Sequence, residues 1–292
     1  ASAPPLHMSS TFVTENVAGF SAHDLGDDLG DNLGDDSAFL YARWANPNVA
    51  SLEAKIAALQ GTEACLCTAS GMAAATAIFL TFLSAGDHVI VSDVSYAGVA
   101  ELARDTLPRL GIEVSTVNLS DLTAVSAALR PNTRLIHSES PVNPILRLTD
   151  LAAISKLAHE AGALHSCDGT FSSPLGMDTQ ALGIDLVMHS ITKYIGGHGD
   201  AVGGAVAGSG ALIGRMRLEA AIHHGGILSP FNAWLISRGM ATLPLRMTAH
   251  AAGAQAVAEF LDAHPKVTKV IYPGLASHPQ ADLAQTQMSN MS

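Results

Sequence analysis

The sequence is poor in charge, in basic residues and in long apolar runs, and each shortage excludes a class of protein. Charged residues make up 14% of the 292 positions and hydrophobic residues 48%, which excludes a disordered chain. Lys and Arg number 15 against 26 Asp and Glu, and the net charge of −11 disfavours binding to nucleic acid or to an anionic membrane. The longest apolar run, residues 73–83, is shorter than the roughly 20 residues of a membrane span.

Cysteine is also scarce, and histidine is not arranged for metal binding. The three cysteines, Cys65, Cys67 and Cys167, form neither a CxxC pair nor an even set, which favours reduced thiols in a core. Residues 1–6 lack the basic and apolar regions of a secretory signal, so we expect a cytoplasmic protein. The one adjacent histidine pair, at 223–224, would point about 100° apart on a helix, so we expect no metal site.

Helical and strand-like patterns alternate from residue 46 onward. Asn46 is a predicted cap for a helix that has Pro47 at its first position and ends at Gly61. This alternation predicts parallel strands joined by helical crossovers, and therefore an α/β fold with a large, mostly parallel sheet covered on both faces. Further helices are predicted over 72–83, 99–110, 121–129, 150–161, 211–223, 232–251 and 250–264, and strands over 64–67, 88–92, 113–117, 134–137, 163–167, 186–189 and 204–206.

Three regions are predicted along the chain. Residues 1–45 form an arm with the acidic repeat LGDDLGDNLGDD at 25–36, and residues 46–230 form the large domain. Residues 231–292 contain a linking helix and the start of a smaller C-terminal α+β lobe. Because a strand over 269–272 would lack sheet partners there, we expect that lobe to be truncated.

Chemically distinctive residues follow three of the predicted strands. The turn SGM at 70–72 opens a helix, whose first N–H groups can bind a phosphate. Asp168 directly follows the predicted strand 163–167 and precedes Gly169 and Thr170, and Lys193 follows the strand 186–189. Ligands of parallel sheets bind at the carboxyl ends of the strands, so we expect these groups to lie together.

This set of groups matches the requirements of pyridoxal phosphate. Asp168 would keep the pyridine nitrogen protonated, Lys193 would form an imine with the aldehyde, and Tyr96 would stack on the ring. Each feature alone also has an ordinary structural explanation, because strand-to-helix turns are common and most lysines extend into solvent. The combination of all three carries the prediction.

Seven motifs, in order and spacing, resemble the Cys/Met-metabolism enzymes that depend on pyridoxal phosphate. This family includes cystathionine γ-synthases and lyases, methionine γ-lyases and O-acylhomoserine sulfhydrylases. The resemblance begins at about residue 8 and covers nearly the whole chain. The motifs are YARWANP at 41–47, TASGMAA at 68–74, SYAG at 95–98, ESPVNP at 139–144, CDGTFSSP at 167–174, SITKYIGGHGD at 190–200 and ILSPFNAWLISRGMATLPLRM at 227–247.

The resemblance implies a fold, an assembly and a set of site residues. The fold would be that of the aspartate aminotransferases, fold type I, and the assembly a homodimer with shared active sites, paired into a homotetramer. Lys193, Tyr96 and Asp168 would be catalytic, as the Schiff-base lysine, the stacking and proton-transferring tyrosine and the partner of the pyridine nitrogen. The other cofactor-binding residues would be Gly71, Met72, Ser190 and Thr192 at the phosphate, Tyr41 and Arg43 reaching it from the neighbouring subunit, Asn143 near the ring hydroxyl, and Thr170.

The implied reaction is γ-elimination from a γ-substituted L-amino acid resembling methionine, homocysteine or cystathionine, which yields a 2-oxo acid and ammonia. Two alternatives stay open: γ-replacement, as in the sulfhydrylases and cystathionine γ-synthases, and elimination from a cationic substrate such as canavanine, attracted by the acidic repeat. Gly98 stands where methionine γ-lyases typically have cysteine, which disfavours a strict methionine enzyme. A non-enzymatic regulator would need a basic DNA-binding module, and the sequence has none.

Overall fold

The computed structural model describes residues 4–13 and 39–289, so the acidic repeat at 25–36 lies outside the described residues. Helices and strands alternate as expected. The helices are α1 Pro47–Gln60, α2 Gly71–Phe82, α3 Ala97–Glu101, α4 Leu122–Ala128, α5 Leu151–Glu160, α6 Gly210–Met216, α7 Pro230–Met240, α8 Leu243–Asp262 and α9 Ala281–Gln287. The strands are β1 Ala64–Thr68, β2 His88–Ser92, β3 Glu113–Val117, β4 Thr133–Glu139, β5 Leu164–Asp168, β6 Leu186–His189 and β7 Gly204–Gly208.

The strands form one seven-stranded sheet in the order β1-β7-β6-β5-β4-β2-β3. Strand β2 pairs in parallel with β3 and β4, and β4 pairs in parallel with β5, which confirms the predicted α/β class and mostly parallel sheet. Strand β7 is antiparallel to β1, which is consistent with a sheet that is mostly rather than entirely parallel. The segment 190–203 that leads into β7 contains no helix, whereas parallel strands are usually joined by a helical crossover.

The capping residues of α1 act as the sequence predicts. The Asn46 side chain accepts a hydrogen bond from the Asn48 N–H at 2.9 Å, and Pro47 occupies the first turn. Gly61 ends the helix at a φ of 72°, a left-handed conformation that glycine adopts without a steric penalty. Local signals at both ends of this helix are therefore sufficient to set its bounds.

Three predicted helical regions differ in the structure. The helix expected over 211–223 ends at Met216, and Arg217–His223 form a π-helical segment. The helix expected over 99–110 ends at Glu101 and continues as a π-helical turn, Leu102–Thr106, and a 3-10 turn, Leu107–Leu110. Pro108 lacks the N–H that a regular helix would use there. The helices expected over 232–251 and 250–264 are in fact α7 and α8, which are divided at residues 241–242 because Pro244 enforces a new first turn.

The chain divides into two compact units, each with its own apolar core. Unit 1 comprises Ala1–Phe82 and Met188–Ala241, and in it α1 packs against β1 and α7. Unit 2 comprises Leu83–Val187 and Thr242–Ser292, and its core clusters include Ile90, Ile136 and Ile154. No helix within the described ranges is both long and apolar enough to cross a bilayer. The domain bounds at 46 and 231 stay a prediction, and residues 269–272 form no strand.

A buried ion pair stabilises unit 1. Glu53, which is 7% exposed, accepts hydrogen bonds from the Cys67 N–H and from Arg217, both at 2.7 Å. Because the side chain of Arg217 is only 15% exposed, removal of the carboxylate would leave a buried cation without a counter-charge. Glu53 therefore links α1 to β1 and to the segment that carries Arg217.

We expect Glu53→Gln to lower the free energy of unfolding by about 3–5 kcal/mol, the usual effect of breaking a buried ion pair. Urea denaturation followed by circular dichroism measures it. Glu160→Gln is the control, because Glu160 pairs with Lys156 on the surface at 3.9 Å and its loss is worth about 0.3–0.5 kcal/mol. Equal effects of the two substitutions would contradict a stabilising role for the buried pair.

Candidate functional site

In unit 1, the turn between β1 and α2 presents two main-chain N–H groups that have no acceptor among the described residues. Ser70 accepts the next two, with its Oγ atom at 3.1 Å from the Ala73 N–H and its carbonyl oxygen at 3.0 Å from the Ala74 N–H. The N–H groups of Gly71 and Met72 are left at the start of a 12-residue helix. Together with the helix dipole, these groups favour an anion at this turn.

Ser190 lies directly against this turn. A Cβ atom added to Gly71 would be 2.8 Å from Ser190 Cβ and 3.0 Å from Ser190 Oγ. Only glycine therefore permits this close approach, which brings a hydroxyl beside the helix start. The predicted residues Gly71, Met72 and Ser190 do come together, and their donor set fits a phosphate group.

Lys193 lies on a tight turn that begins at Ser190. Its N–H donates to the Ser190 carbonyl oxygen at 3.0 Å, and its own carbonyl oxygen accepts from the Gly197 N–H at 2.8 Å. The side chain is exposed, and its amine makes no hydrogen bond or ion pair within the part of the chain that the structure describes. The backbone is thus held firmly while the amine stays available to a ligand.

Thr192 differs from the other predicted phosphate ligands. Its hydroxyl donates to the Gly203 carbonyl oxygen at 3.1 Å and accepts from the Gly203 N–H at 3.0 Å. The single hydroxyl proton is therefore engaged in closing the loop. Thr192 can donate to a phosphate only if it leaves the carbonyl of Gly203.

In unit 2, Asp168 is a buried carboxylate with few hydrogen bonds. It is 7% exposed and accepts the Thr170 N–H at 2.9 Å. Burial raises the pKa of its carboxyl group, and the bonds from Thr170 only partly offset this effect. No cation lies within ion-pair distance of Asp168 among residues 4–13 and 39–289, so the site favours a ligand that brings a positive charge.

Glu139 faces the same strand end and was missed by the sequence analysis. It lies opposite Asp168 in the register of β4 and β5, and it accepts N–H groups of Tyr96 at 2.7 Å and Asn143 at 2.8 Å. Burial, followed by the charge of Asp168, raises the pKa of Glu139 to about 7. The sequence does show an acid directly before the SPVNP segment. Because the predicted strand stopped at residue 137, Glu139 was not recognised as a strand-end residue.

The main chain at Tyr96 and at Asn143 lies at the carboxyl end of the sheet, where both N–H groups bind Glu139. Strands β2, β4 and β5 are parallel neighbours, so the segments that follow them emerge at one edge. The Tyr96 side chain is 47% exposed and lies at the start of α3. Unit 2 thus gathers the predicted residues Tyr96, Asn143, Asp168 and Thr170 at one edge, as expected from their positions after strands.

Tyr41 and Arg43 make their contacts with residues other than those of the Gly71 turn. Tyr41 forms an isolated antiparallel bridge with Thr11, and the Arg43 guanidinium carbon lies 5.3 Å from the centre of the Tyr41 ring. Arg43 also donates to the Ile222 carbonyl oxygen. In the described ranges neither side chain makes a hydrogen bond or ion pair with Gly71, Ser190 or Lys193.

A small cavity of unit 1 is not the candidate site. It has a volume of about 30 Å³, enough for about one water molecule, and its walls include Arg43, Trp44 and the Glu53–Arg217 pair. No group of three or more His, Cys, Asp or Glu side chains suited to a metal ion occurs in the described part of the chain.

Comparison with known proteins places these features in one family. The sequence profile described as "Cys/Met metabolism PLP-dependent enzyme" matches residues 1–292. The chain belongs to this family of enzymes, which depend on pyridoxal phosphate (PLP). The resemblance carried by the seven motifs is therefore confirmed, as is the expected cofactor class.

Relatives and solved structures of this family are similar over most of the chain. A canavanine γ-lyase of Pseudomonas canavaninivorans is 47% identical over 251 residues, which is 86% of this chain and 63% of that protein. The L-methionine γ-lyase of Pseudomonas putida is 41% identical over 98% of this chain and 70% of its own length. A crystal structure of cystathionine γ-lyase from Lactobacillus plantarum with L-serine has a TM-score of 0.89 at 38% identity, and the match covers 99% of this chain and 71% of that one.

Two conclusions follow for this PLP-dependent family member. The fold type I architecture is confirmed by the solved structures. The chain spans less than two thirds of the curated canavanine γ-lyases that it matches, at 63% and 62% of their lengths.

Proposed function

We propose that this protein is a PLP-dependent γ-lyase that releases the γ-substituent of an L-amino acid and forms a 2-oxo acid and ammonia. The observation that carries the proposal is Asp168, a buried carboxylate that has no cation beside it among the described residues of a chain in a PLP-dependent family. A protonated pyridine nitrogen would supply the missing positive charge. This is the charge state in which the cofactor withdraws electrons most strongly.

The donor groups of the described residues fit the remaining parts of the cofactor. The N–H groups of Gly71 and Met72, with the Ser190 hydroxyl, would hold the phosphate. The exposed amine of Lys193 would bind the aldehyde carbon, and Tyr96 would cover the ring. Asn143 and Thr170 would orient the ring hydroxyl and Asp168, while Thr192 would support the loop that carries Lys193.

The residues have distinct roles in the reaction. Bound PLP acts as an electron sink that weakens bonds at the substrate's Cα atom. Once the substrate amine has displaced it from the aldehyde carbon, the amine of Lys193 would remove the proton from Cα and return protons along the carbon chain, because it makes no hydrogen bond or ion pair among the described residues. The Tyr96 hydroxyl donates a proton to the departing γ-group, and Asp168 keeps its negative charge beside the ring throughout.

Canavanine is the second candidate substrate, and it is a more specific form of the same proposal. Two relatives, at 47% and 46% identity, bear the name canavanine γ-lyase. The repeat at 25–36 contributes acidic residues that would attract the cationic oxyguanidinium group, although it lies outside the described residues. Such attraction weakens as salt shortens the screening length to about 8 Å or less.

Assembly and location complete the proposal. We infer a homodimer in which Tyr41 and Arg43 reach the phosphate of the neighbouring subunit, with two dimers forming a cytoplasmic homotetramer. Within one chain the Arg43 side chain makes no hydrogen bond to Gly71, Ser190 or Lys193 among the described residues and instead donates to the Ile222 carbonyl oxygen, which supports this assignment. A guanidinium group also suits a phosphate, because it can donate two parallel hydrogen bonds.

The test of the activity compares wild type with Lys193→Ala on canavanine, methionine, homocysteine, cystathionine and O-acetylhomoserine. After reconstitution with PLP, we expect wild type to gain a visible absorption band and to release 2-oxo acid and ammonia in equal amounts. Lys193→Ala should lose the band and about 10³-fold or more of kcat. Preference for canavanine predicts a kcat/KM that falls with salt for this substrate and not for methionine.

The same assay separates elimination from replacement. With a thiol present, a replacement enzyme would convert O-acetylhomoserine to a thioether and form no 2-oxo acid. That result would contradict the γ-lyase assignment while leaving the cofactor assignment intact. A wild-type protein that stays colourless with PLP would contradict both.

Arg43→Ala tests the shared site. We expect it to weaken PLP binding by about 1.5–3 kcal/mol, the contribution of a charged hydrogen bond, without preventing folding. Arg104→Ala is the control, because Arg104 pairs with its exposed neighbour Asp105. Mixed dimers of the Arg43→Ala and Lys193→Ala chains should recover part of the activity, since one of the two sites then contains both residues. Mixed dimers as inactive as their parents would count against the shared site.

A further inference from the structure

We propose that Glu139 is a positioning residue, whose carboxylate joins the segment carrying Tyr96 to the segment carrying Asn143. The inference deepens the proposed function, on which its role toward the cofactor rests. Neither Tyr96 nor Asn143 makes a side-chain hydrogen bond to another described residue, so the position of each depends on its main chain. Glu139 accepts a hydrogen bond from the main chain of each of these two residues.

The contacts of Glu139 divide evenly between its two oxygens. Oε2 accepts the Tyr96 N–H at 2.7 Å, and Oε1 accepts the Asn143 N–H at 2.8 Å. The residue is 6% exposed, so water does not readily replace either acceptor. One buried carboxylate thus holds Tyr96, in the segment after β2, and Asn143, in the segment after β4.

A second contact ties the same two segments together. Asp93, directly after β2, is paired with Arg147, and the Arg147 Nη1 atom lies 3.3 Å from Asp93 Oδ2. The loop of Arg147 is itself closed, because the Val142 N–H donates to the Arg147 carbonyl oxygen at 2.9 Å. The ion pair and Glu139 together limit the relative movement of the two segments, so Glu139 acts within an already ordered loop.

Only a carboxylate satisfies both N–H groups. In glutamine the amide nitrogen is a donor, so one of the two N–H groups would lose its acceptor and face another N–H group. Aspartate keeps both acceptor oxygens but is shorter by one methylene group. Glu139→Gln should therefore release one segment, and Glu139→Asp should restore part of the original geometry.

The register of the sheet connects this arrangement to the ring of the cofactor. Glu139 ends β4 directly opposite Asp168, which ends β5. Tyr96 and Asn143, the residues assigned to the ring face and the ring hydroxyl, are therefore positioned relative to the strand end that carries the proposed partner of the ring nitrogen. Loss of the two hydrogen bonds to Glu139 should alter how the ring is held, and therefore the visible circular dichroism of the bound cofactor.

The first measurement is hydrogen exchange of the full chain without cofactor. We expect Glu139→Gln to speed amide exchange in at least one of the peptides covering 93–101 and 140–149 relative to wild type. Glu113→Gln is the matched control, since Glu113 lies at the start of β3 and pairs with Arg130 on the surface. Exchange in both segments that equals the control would overturn the proposal. If Glu139→Gln does not fold, Glu139→Asp is measured in its place, with a smaller increase expected.

The second measurement distinguishes positioning from general stability. We expect Glu139→Gln to weaken PLP binding about tenfold or more and to reduce the visible circular dichroism per bound cofactor, with partial recovery in Glu139→Asp. A lower melting temperature with unchanged affinity and unchanged visible dichroism would reduce Glu139 to a structural role and contradict the proposal. Failure of the wild type to bind PLP would contradict the proposed function, whereas the exchange data would still decide whether Glu139 joins the two segments.

Discussion

Burial of negative charge at the ends of two neighbouring parallel strands is the constraint on which unit 2 depends. Glu139 and Asp168 end β4 and β5 in register, and burial raises the pKa of both. Two desolvated carboxylates side by side are unfavourable unless each receives hydrogen bonds or a cation. The segments after β2, β4 and β5 supply part of these hydrogen bonds through their main-chain N–H groups.

The two carboxylates are compensated in different ways, and this difference separates their roles. Glu139 accepts one main-chain N–H on each oxygen, so its hydrogen bonds organise the protein itself. Among the described residues Asp168 receives hydrogen bonds only from Thr170, so its negative charge remains to be balanced by a cationic ligand. In unit 1 the situation is reversed, because the N–H groups of Gly71 and Met72 await an anion. The proposed cofactor has an anionic phosphate for the first of these sites and a cationic ring nitrogen for the second.

Much of the fold was predictable because local signals agree with burial. Asn46 and Gly61 bound α1 as expected, and Asp168 could be recognised because an apolar strand leads directly to it. Glu139 could not be recognised in this way. Strand β4 continues through His137 and Ser138, which are buried and polar and whose partners lie on β5, at 2.8 Å each. Hydrogen bonds across strands make such residues compatible with a core, and a hydrophobic pattern does not reveal them.

The most direct test of the account is the protonation state of the ring nitrogen in bound PLP. It can be measured by ¹⁵N NMR with cofactor labelled at that nitrogen, in wild type and in Asp168→Asn. The account predicts a protonated nitrogen in wild type, held by the negative charge of Asp168, and a deprotonated nitrogen in Asp168→Asn at the same pH. The same ¹⁵N chemical shift in both proteins would contradict the assignment of Asp168 and with it the central claim.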